Sequence, residues 1–330
     1  MVRKEGVNLD PLFHDYSGNV PGASVIVIRD GKVVVRNAFG MANLEEHIEA
    51  TPETHDRLAS VTKQFTAAAI LTLAGDKKLS LDDPIRRWLP SLPGYADAIT
   101  IRHLLTHTSG LIDYEDVIPS ATTKPLTDAD VLRLLETQTA TYFPPGSSYR
   151  YSNSGYVLLA LIVEKGSGQR FAAFLHDRIF EPLGMKTTVA HEEGISTVAH
   201  RAYGYSREGG GWRRTDQSVT SATLGDGGIY TSVDDLVPWI TALEKGRFAE
   251  ASVPRVETDE KGVRYGFGWK IGEHDGQRIV FHTGESIGFR NAVVRFPDEH
   301  LAIIVLTNRN EGHPKDLAIS VRESLRSARR

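Results

Sequence analysis

Apolar and β-branched runs stand at both ends of this 330-residue chain, and helical patterns lie between them. Near the N-terminus, residues 23–29 and 32–38 flank Asp30-Gly31, a pair typical of hairpin turns. Toward the C-terminus, strand patterns cover residues 265–271, 278–282, 291–296 and 301–307, with turn residues at 275–276 and 297–298. Strands from both termini predict one antiparallel sheet, and therefore an α+β fold.

The middle of the chain, from Asp82 to about residue 188, is mainly helical in pattern. Before it, residues 60–73 predict a helix that is apolar on all sides, and therefore buried, and that ends at Gly75. Further helices are predicted at residues 101–105, 128–136, 154–164, 171–179 and 314–326. A chain of this length usually exceeds one core. We therefore predict a discontinuous sheet domain, 1–80 with 200–330, flanked by helices; a mainly helical lobe, 81–199; and an active site between them.

Composition excludes several classes of protein. Lys and Arg total 38 against 42 Asp and Glu, so the net charge of −4 lacks the positive field of a nucleic-acid binder. No apolar run approaches the ~18 residues of a membrane span. The chain has no cysteine, which excludes disulfides, thiolate nucleophiles and cysteine-based zinc sites. We expect a small-molecule or peptide substrate rather than nucleic acid or a membrane.

Residues 1–6 are charged, and no apolar segment of a secretory signal follows them. The sequence thus predicts a cytoplasmic protein, whereas a trimmed N-terminus would fit a periplasmic or secreted one. The oligomeric state is left open by the sequence.

Ser60 and Lys63 begin the apolar helix with S-x-x-K spacing, and residues three apart share one side of a helix. A lysine in a first turn opposes the helix dipole, and an apolar surrounding disfavours its charge. A neutral amine beside a hydroxyl is a general base beside a nucleophile. The alternative, in which Ser60 caps the helix and Lys63 extends to water, is commoner for such a pair by itself.

Two further motifs follow in order along the chain. Tyr151 and Asn153 precede an apolar helix, where the phenol could carry a proton and the amide could hold either a substrate amide or the lysine. The alternative is core packing of Tyr151, with Asn153 or Ser154 as the helix cap. His282 and Gly284 end a strand, where glycine allows a ligand close to the backbone. The alternative is a structural histidine at a strand end.

Together these motifs resemble the serine β-lactamase and DD-peptidase superfamily, whose signature is S-x-x-K, S-D-N and K-T-G. Here Tyr-x-Asn stands at the second position, as in the class C β-lactamase branch. The resemblance covers nearly the whole chain, and its segments are LLTHTSGL at 104–111, PPGSSYRYSN at 144–153, FEPLGM at 180–185, GDGGIYTS at 225–232 and HTGESIGF at 282–289. It implies the fold predicted above.

The resemblance also implies a role for each matched residue: Ser60 the acylated nucleophile, Lys63 its activating amine, Tyr151 the proton shuttle, Asn153 a substrate-orienting amide, His282-Thr-Gly284 the strand motif, and the backbone N–H groups of Ser60 and Glu285 the oxyanion hole. His282 replaces the lysine that would hold a substrate carboxylate. As a histidine it is expected to be a weaker, pH-dependent anchor, similar to the pattern of family VIII esterases and several S12 peptidases. Arg290, close by in sequence, is a candidate replacement contact.

The predicted function is a serine hydrolase that forms an acyl-enzyme on Ser60 and needs no metal or organic cofactor. A carboxylesterase or a peptidase acting on D-amino-acid peptides is favoured, with a β-lactamase as the alternative within the class. A penicillin-binding sensor that acylates with little turnover carries the same motifs, and so would a scaffold with a vestigial site.

Three other motifs are interpreted as structural. Ser286 lies in a G-x-S-x-G pattern, but that nucleophile elbow needs a following helix and a strand is predicted there. His103 and His107 have i, i+4 spacing without the glutamate of a zinc site. The glycine-rich residues 225–228 fit a loop near the site or a tight packing corner.

Overall fold

A computed structural model describes residues 8–328 of the chain. The segment 1–6, on which the expectation about a secretory signal rests, lies outside the described residues. The strands are β1 Ala23–Arg29, β2 Lys32–Phe39, β3 Met41–Asn43, β4 Ile48–Glu49, β5 Asp56–Arg57, β6 Val189–Ala190, β7 Tyr205–Glu208, β8 Gly211–Arg214, β9 Ile229–Thr231, β10 Val256–Glu257, β11 Arg264–Tyr265, β12 Lys270–His274, β13 Gln277–Ser286, β14 Phe289–Phe296 and β15 Leu301–Thr307. The α-helices are α1 Lys63–Gly75, α2 Ile101–Leu105, α3 Asp128–Glu136, α4 Asn153–Ser167, α5 Phe171–Leu175, α6 Glu181–Leu183, α7 Leu236–Glu244 and α8 Pro314–Ser327.

The main sheet has the order β10-β11-β12-β13-β14-β15-β1-β2 and is antiparallel throughout. Both ends of the chain build it, because β1 pairs with β15 along its whole length, from Ala23 opposite Thr307 to Arg29 opposite Leu301. Asp30 and Gly31 both have positive φ, 51° and 69°, as the predicted hairpin turn requires. The α+β prediction is confirmed.

The sheet is a middle layer, because successive side chains on a strand face opposite sides. Ile26 and Ile304 join the apolar core that contains α1 and α4. Val25 and Val305 join a second core, with Val321 of α8, on the other face. The core against α1 and α4 is the larger, and it holds the base of the candidate site.

The helices α2 to α6 lie within residues 101–183, in the stretch predicted to be mainly helical. The two apolar helices, α1 and α4, are buried on most sides and pack against each other. The division into two domains at residues 81 and 199 remains a prediction. Within residues 8–328, no helix has both the length and the apolar character that a bilayer crossing requires.

Three elements differ from their predicted form. A 3₁₀ turn, Ala59–Thr62, holds the start of the predicted 60–73 helix, and α1 includes Gly75. The predicted 265–271 strand is interrupted between β11 and β12, where Gly268 has φ 73° and a Cβ would lie 2.6 Å from the Lys63 carbonyl oxygen. The chain bends there because it must pass over the start of α1. The predicted 171–179 helix widens into a π-helical segment at His176–Phe180, which apolar spacing does not distinguish from α.

Candidate active site

The 3₁₀ turn that carries Ser60 lies between β5 and α1 and packs against β13. On that side, β12 pairs with β13 only from Gln277 to Phe281. The remaining edge of β13, which carries His282 to Ser286, is therefore left for the Ser60 turn instead of another strand. This arrangement brings the first and third sequence motifs together.

Gly284 is needed for this close approach. A Cβ at Gly284 would lie 2.0 Å from the carbonyl oxygen of Leu58 and 3.3 Å from Val61 Cγ2. Glycine at this position was expected to leave room for a ligand. In the structure it leaves room for the segment that carries the nucleophile. Ala59, directly before Ser60, has φ 49°, a left-handed conformation that costs a non-glycine residue about 1 kcal/mol.

Lys63 is completely buried, so the interpretation in which it extends to water is wrong. Its Nζ lies 3.1 Å from Ser60 Oγ, 2.8 Å from Asn153 Oδ1 and 3.0 Å from the carbonyl oxygen of Asp226. A neutral amine has two N–H groups and one lone pair. The two carbonyl oxygens accept from the N–H groups, and the lone pair is then left for the Ser60 hydroxyl.

Burial lowers the pKa of Lys63 to about 8, because the ammonium loses its hydration. The carboxylates of Asp226, Asp113 and Glu115 act in the opposite direction and keep the pKa from falling further. Desolvation is therefore the main cause of the shift that the sequence predicted. An amine with this pKa is partly neutral near pH 8 and can accept the proton of Ser60.

The Tyr151 ring packs on His107 with 4.3 Å between ring centroids and a tilt of 33°, and Lys63 Nζ lies 4.9 Å from the Tyr151 ring centroid. Burial raises the pKa of Tyr151, while the neighbouring Ser60 hydroxyl acts in the opposite direction. The phenol oxygen is buried and has no hydrogen-bond partner of normal length within residues 8–328. Tyr151 is therefore a protonated phenol beside Ser60, free to receive or donate a proton during a reaction.

Asn153 begins α4, and its amide oxygen accepts from Lys63 while its Nδ2 donates to Glu115 Oε1 at 2.9 Å. Of the two uses considered for this amide, the structure shows contact with the lysine. The helix cap is Ser152, whose Oγ accepts from the Gly155 N–H, so the expectation of a cap at Asn153 or Ser154 is wrong.

His282 is buried and both ring nitrogens have partners. Nδ1 lies 2.7 Å from the Thr283 carbonyl oxygen, to which it donates, and Nε2 lies 3.0 Å from the Tyr265 hydroxyl. Burial lowers the pKa of His282 to about 3, so the ring is neutral at physiological pH. The expectation of a pH-dependent cationic anchor at this position is therefore wrong.

Arg290 does not take over that task. Its Nη1 donates to the carbonyl oxygens of Ser286 and Phe289, both at 2.8 Å, and its Nε is 3.4 Å from Glu285 Oε2. The guanidinium thus braces the β13–β14 hairpin. Ser286 itself is followed by β14, not by a helix, which excludes the nucleophile-elbow arrangement.

A cavity of about 220 Å³ opens beside the nucleophile, and we call it the Ser60 cavity. It is lined by Arg57, Ala59, Ser60, Tyr114, Glu115, Asn153, Thr220, Ser221, Thr223, Asp226, Gly227, Glu285, Ser286 and Ile287. Tyr151, His282 and Gly284 do not line it. A larger groove of about 880 Å³, at the far end of α1, holds none of the predicted site residues.

Four ionisable residues of this lining, Arg57, Tyr114, Glu115 and Asp226, were not predicted from the sequence. Asp226 lies inside the glycine-rich segment 225–228. The sequence indicated that this segment fits a loop near the site, and that indication could have pointed to Asp226. That segment is also a packing corner, since a Cβ on Gly225 would lie 2.3 Å from the Tyr156 carbonyl oxygen. Nothing in the sequence around Arg57 or Glu115 marked them.

The two histidines with zinc-like spacing serve the backbone. His103 Nδ1 accepts from the Thr100 N–H at the start of α2, and His107 Nδ1 accepts from the Ser152 N–H. Within the described ranges, the grouping of possible metal ligands is His274, Asp275 and Glu323, away from Ser60.

A family model described as Beta-lactamase matches residues 9–325 of the chain. The chain belongs to this family. Penicillin-binding protein 4* of Bacillus subtilis is 31% identical over 93% of this chain and 71% of its own length. A D-aminopeptidase of Brucella canis is 32% identical over 93% of this chain, and the matched region covers 59% of that relative's own length. The octameric penicillin-binding protein homologue from Pyrococcus abyssi matches with 28% identity and a TM-score of 0.85, over 97% of this chain and 76% of its own.

These matches agree with the resemblance carried by Ser60, Lys63, Tyr151, Asn153 and the strand motif. The protein is a serine hydrolase of the β-lactamase and penicillin-binding protein family, with that family's fold.

Proposed function

We propose that Ser60 attacks a substrate carbonyl and that Lys63 accepts the hydroxyl proton. The supporting observation is the 3.1 Å contact between Lys63 Nζ and Ser60 Oγ in a buried setting. Tyr151, a buried phenol without a fixed partner, passes the proton to the leaving group and later returns one from water. The backbone N–H groups of Ser60 and Glu285 stabilise the oxyanion, each by roughly 3–4 kcal/mol in comparable sites. Water then releases the acid.

We further propose that the substrate is an aminoacyl amide with a free ammonium group, so that the enzyme is a peptidase or amidase acting on D-amino-acid substrates. Glu115 and Asp226 line the Ser60 cavity, and Asp113 lies behind Asn153, to whose N–H it is bonded at 2.6 Å. Burial and mutual repulsion raise the pKa of Glu115 and of Asp113. A substrate ammonium in the cavity offsets this excess of negative charge.

The D configuration is supported by the D-aminopeptidase relatives. A carboxylesterase uses the same acyl-enzyme chemistry and remains the second candidate, because the leaving group of an ester can depart without a proton from Tyr151. The β-lactamase alternative has less support, since its substrate carboxylate finds no cation at His282. The sensor alternative differs only in deacylation rate.

The experiment compares D-alanine p-nitroanilide, its L isomer, p-nitrophenyl butyrate and nitrocefin. We expect turnover of the D-anilide and the butyrate, an acyl adduct on Ser60 by mass spectrometry, and loss of both activities in Ser60→Ala with folding intact. Ser286→Ala tests the nucleophile-elbow interpretation and should keep most activity, because Ser286 lines the cavity but takes no part in the proposed chemistry. Full activity of Ser60→Ala would discredit the nucleophile. A stoichiometric burst without steady-state turnover would favour the sensor.

The ammonium contact has its own variant. Glu115→Gln keeps the size of the side chain and removes the charge, so the ratio of kcat/KM for the D-anilide to that for the butyrate should fall about tenfold, the effect of one charged hydrogen bond. An unchanged ratio, or turnover of esters alone, would count against the D-peptidase proposal and in favour of a carboxylesterase.

A further inference from the structure

Arg57 ends β5 three residues before Ser60 and is 3% exposed. Its backbone carbonyl accepts from Asn291 Nδ2 at 2.8 Å, and its Nε donates to the Gly227 carbonyl oxygen at 3.2 Å. The first contact holds the backbone of Arg57, and the second holds its side chain beside Gly227, which also lines the Ser60 cavity. No part of the mechanism above uses this guanidinium.

The guanidinium of Arg57 is short of acceptors. It carries five N–H groups, and the Nε bond to Gly227 is its one hydrogen bond within residues 8–328. Nor does an ion pair join Arg57 to a carboxylate in that part of the chain. Neither Nη atom is among the fully buried polar atoms without a partner in that part of the chain, so both keep some accessible surface. Arg57 is otherwise buried and lines the Ser60 cavity, so we place that surface at the cavity, where a charge without a counter-ion is costly until an anion arrives.

In the proposed reaction, the Ser60 cavity takes the part of the substrate that stays on the enzyme. Ser60 lines the cavity, whereas Tyr151, the proposed proton donor to the leaving group, does not. The proposed reaction therefore places the leaving group on the side of Tyr151 and the acyl group in the cavity. Its volume of about 220 Å³ holds several water-sized groups, which is room for an acyl group the size of one amino acid.

The same cavity has opposite charges on its wall. Arg57 makes no ion pair with Glu115 or Asp226, although all three line it, so the charges are held apart. We propose that Arg57 binds a carboxylate on the acyl part of the substrate and that the enzyme selects acidic acyl groups, such as glutamyl or aspartyl. Arginine suits this task because its N–H fork matches a carboxylate with two parallel hydrogen bonds. The ammonium half of this substrate rests on the proposed function, whereas the carboxylate half does not.

The deciding experiment uses esters without an amino group. The p-nitrophenyl monoester of glutaric acid has the carbon chain of a glutamyl group and a free carboxylate, and its methyl ester is the neutral control. After subtraction of the non-enzymatic rate, we expect kcat/KM of the wild-type protein to favour the acid by at least about tenfold. Arg57→Met should remove the preference and Arg57→Lys should keep part of it. Arg133→Met, which removes an exposed arginine of α3 that does not line the cavity, is the matched control and should keep the ratio.

Equal rates on the acid and its methyl ester in the wild-type protein would overturn the proposal. This comparison needs no variant, so its outcome does not depend on whether Arg57→Met folds. An unchanged ratio in a folded Arg57→Met would also overturn it. In parallel, α-p-nitroanilides of D-glutamate and D-glutamine are compared. If the ester preference holds and neither anilide is cleaved, the D-peptidase proposal fails while the role of Arg57 stands. If D-glutamine is cleaved as fast as D-glutamate and the ester preference is absent, the role of Arg57 fails while the peptidase stands.

Discussion

Lys63 Nζ lies 3.1 Å from Ser60 Oγ, at a depth where the lysine has no exposed surface. Burial brings the pKa of Lys63 to about 8, so the proton acceptor is the minority form at pH 7 and the majority form at pH 9. We expect kcat/KM for p-nitrophenyl butyrate, which has no titrating group, to rise with pH, to reach half of its maximum near pH 8 and to level off at about pH 9, one unit above the pKa of Lys63.

A profile that is flat between pH 6 and pH 9, measured after correction for spontaneous ester hydrolysis, would contradict Lys63 as the base. Lys63→Met removes the base and the three polar contacts together, so its loss of activity is expected but less informative than the profile. The choice of an uncharged ester matters, because an aminoacyl substrate titrates in the same range.

Tyr151→Phe separates catalysis from packing. The ring and its packing on His107 remain, and the lost hydroxyl has no hydrogen-bond partner within residues 8–328. We therefore expect the free energy of unfolding to stay within about 1 kcal/mol or to rise, since an unsatisfied buried group is removed. Turnover of D-alanine p-nitroanilide, whose leaving group needs a proton, should fall about 10²- to 10⁴-fold, the contribution of a positioned acid or base. Thermal unfolding and steady-state kinetics on one preparation check both; retained turnover would exclude the phenol from proton transfer.

Gly284→Ala tests the contact that joins the nucleophile turn to the sheet. A Cβ there would meet the Leu58 carbonyl oxygen at 2.0 Å, and both are backbone, so neither can turn aside. Such overpacking costs about 1–3 kcal/mol or more, and the shift displaces Ser60 from β13. We expect lower thermal stability and a large loss of kcat. Gly75→Ala, where nothing lies within 4 Å, is the matched control and should be neutral or slightly stabilising. A stable, active Gly284→Ala protein would show that stability and activity survive when the Ser60 turn moves away from β13.

The parts of the fold that sequence predicted well are those with local causes. Asp30 and Gly31 specify the β1–β2 turn by themselves, and apolar residues on all sides marked α1 and α4 as buried. The elements that failed depend on neighbours far along the chain. The bend near Gly268 exists because Lys63 passes beneath it, and no residue near 268 records that.

The same distinction holds in the site. S-x-x-K spacing is local, so Ser60 and Lys63 were found together. His282 was expected to be a pH-dependent anchor because its sequence neighbours do not show its charge state, which is set by burial and by Tyr265, seventeen positions earlier. Arg57 was not predicted as a site residue because the argument for its role is that its guanidinium has few hydrogen-bond partners. That can be seen only in the folded chain.

His282→Lys tests the corrected role of the strand motif. By resemblance alone, a lysine at this position should restore a carboxylate anchor and improve binding of nitrocefin. In the structure the side chain is 2% exposed, accepts from the Tyr265 hydroxyl and does not line the Ser60 cavity. A lysine cannot accept that hydrogen bond, and its ammonium would be buried beside Lys63, so we expect a loss of more than about 2 kcal/mol in the free energy of unfolding. The KM for nitrocefin should not improve, and His282→Gln, which can still accept from Tyr265, should be the milder change. A lower KM for nitrocefin in a stable His282→Lys protein would contradict this expectation, because it would show that the side chain at position 282 reaches the substrate and can bind its carboxylate.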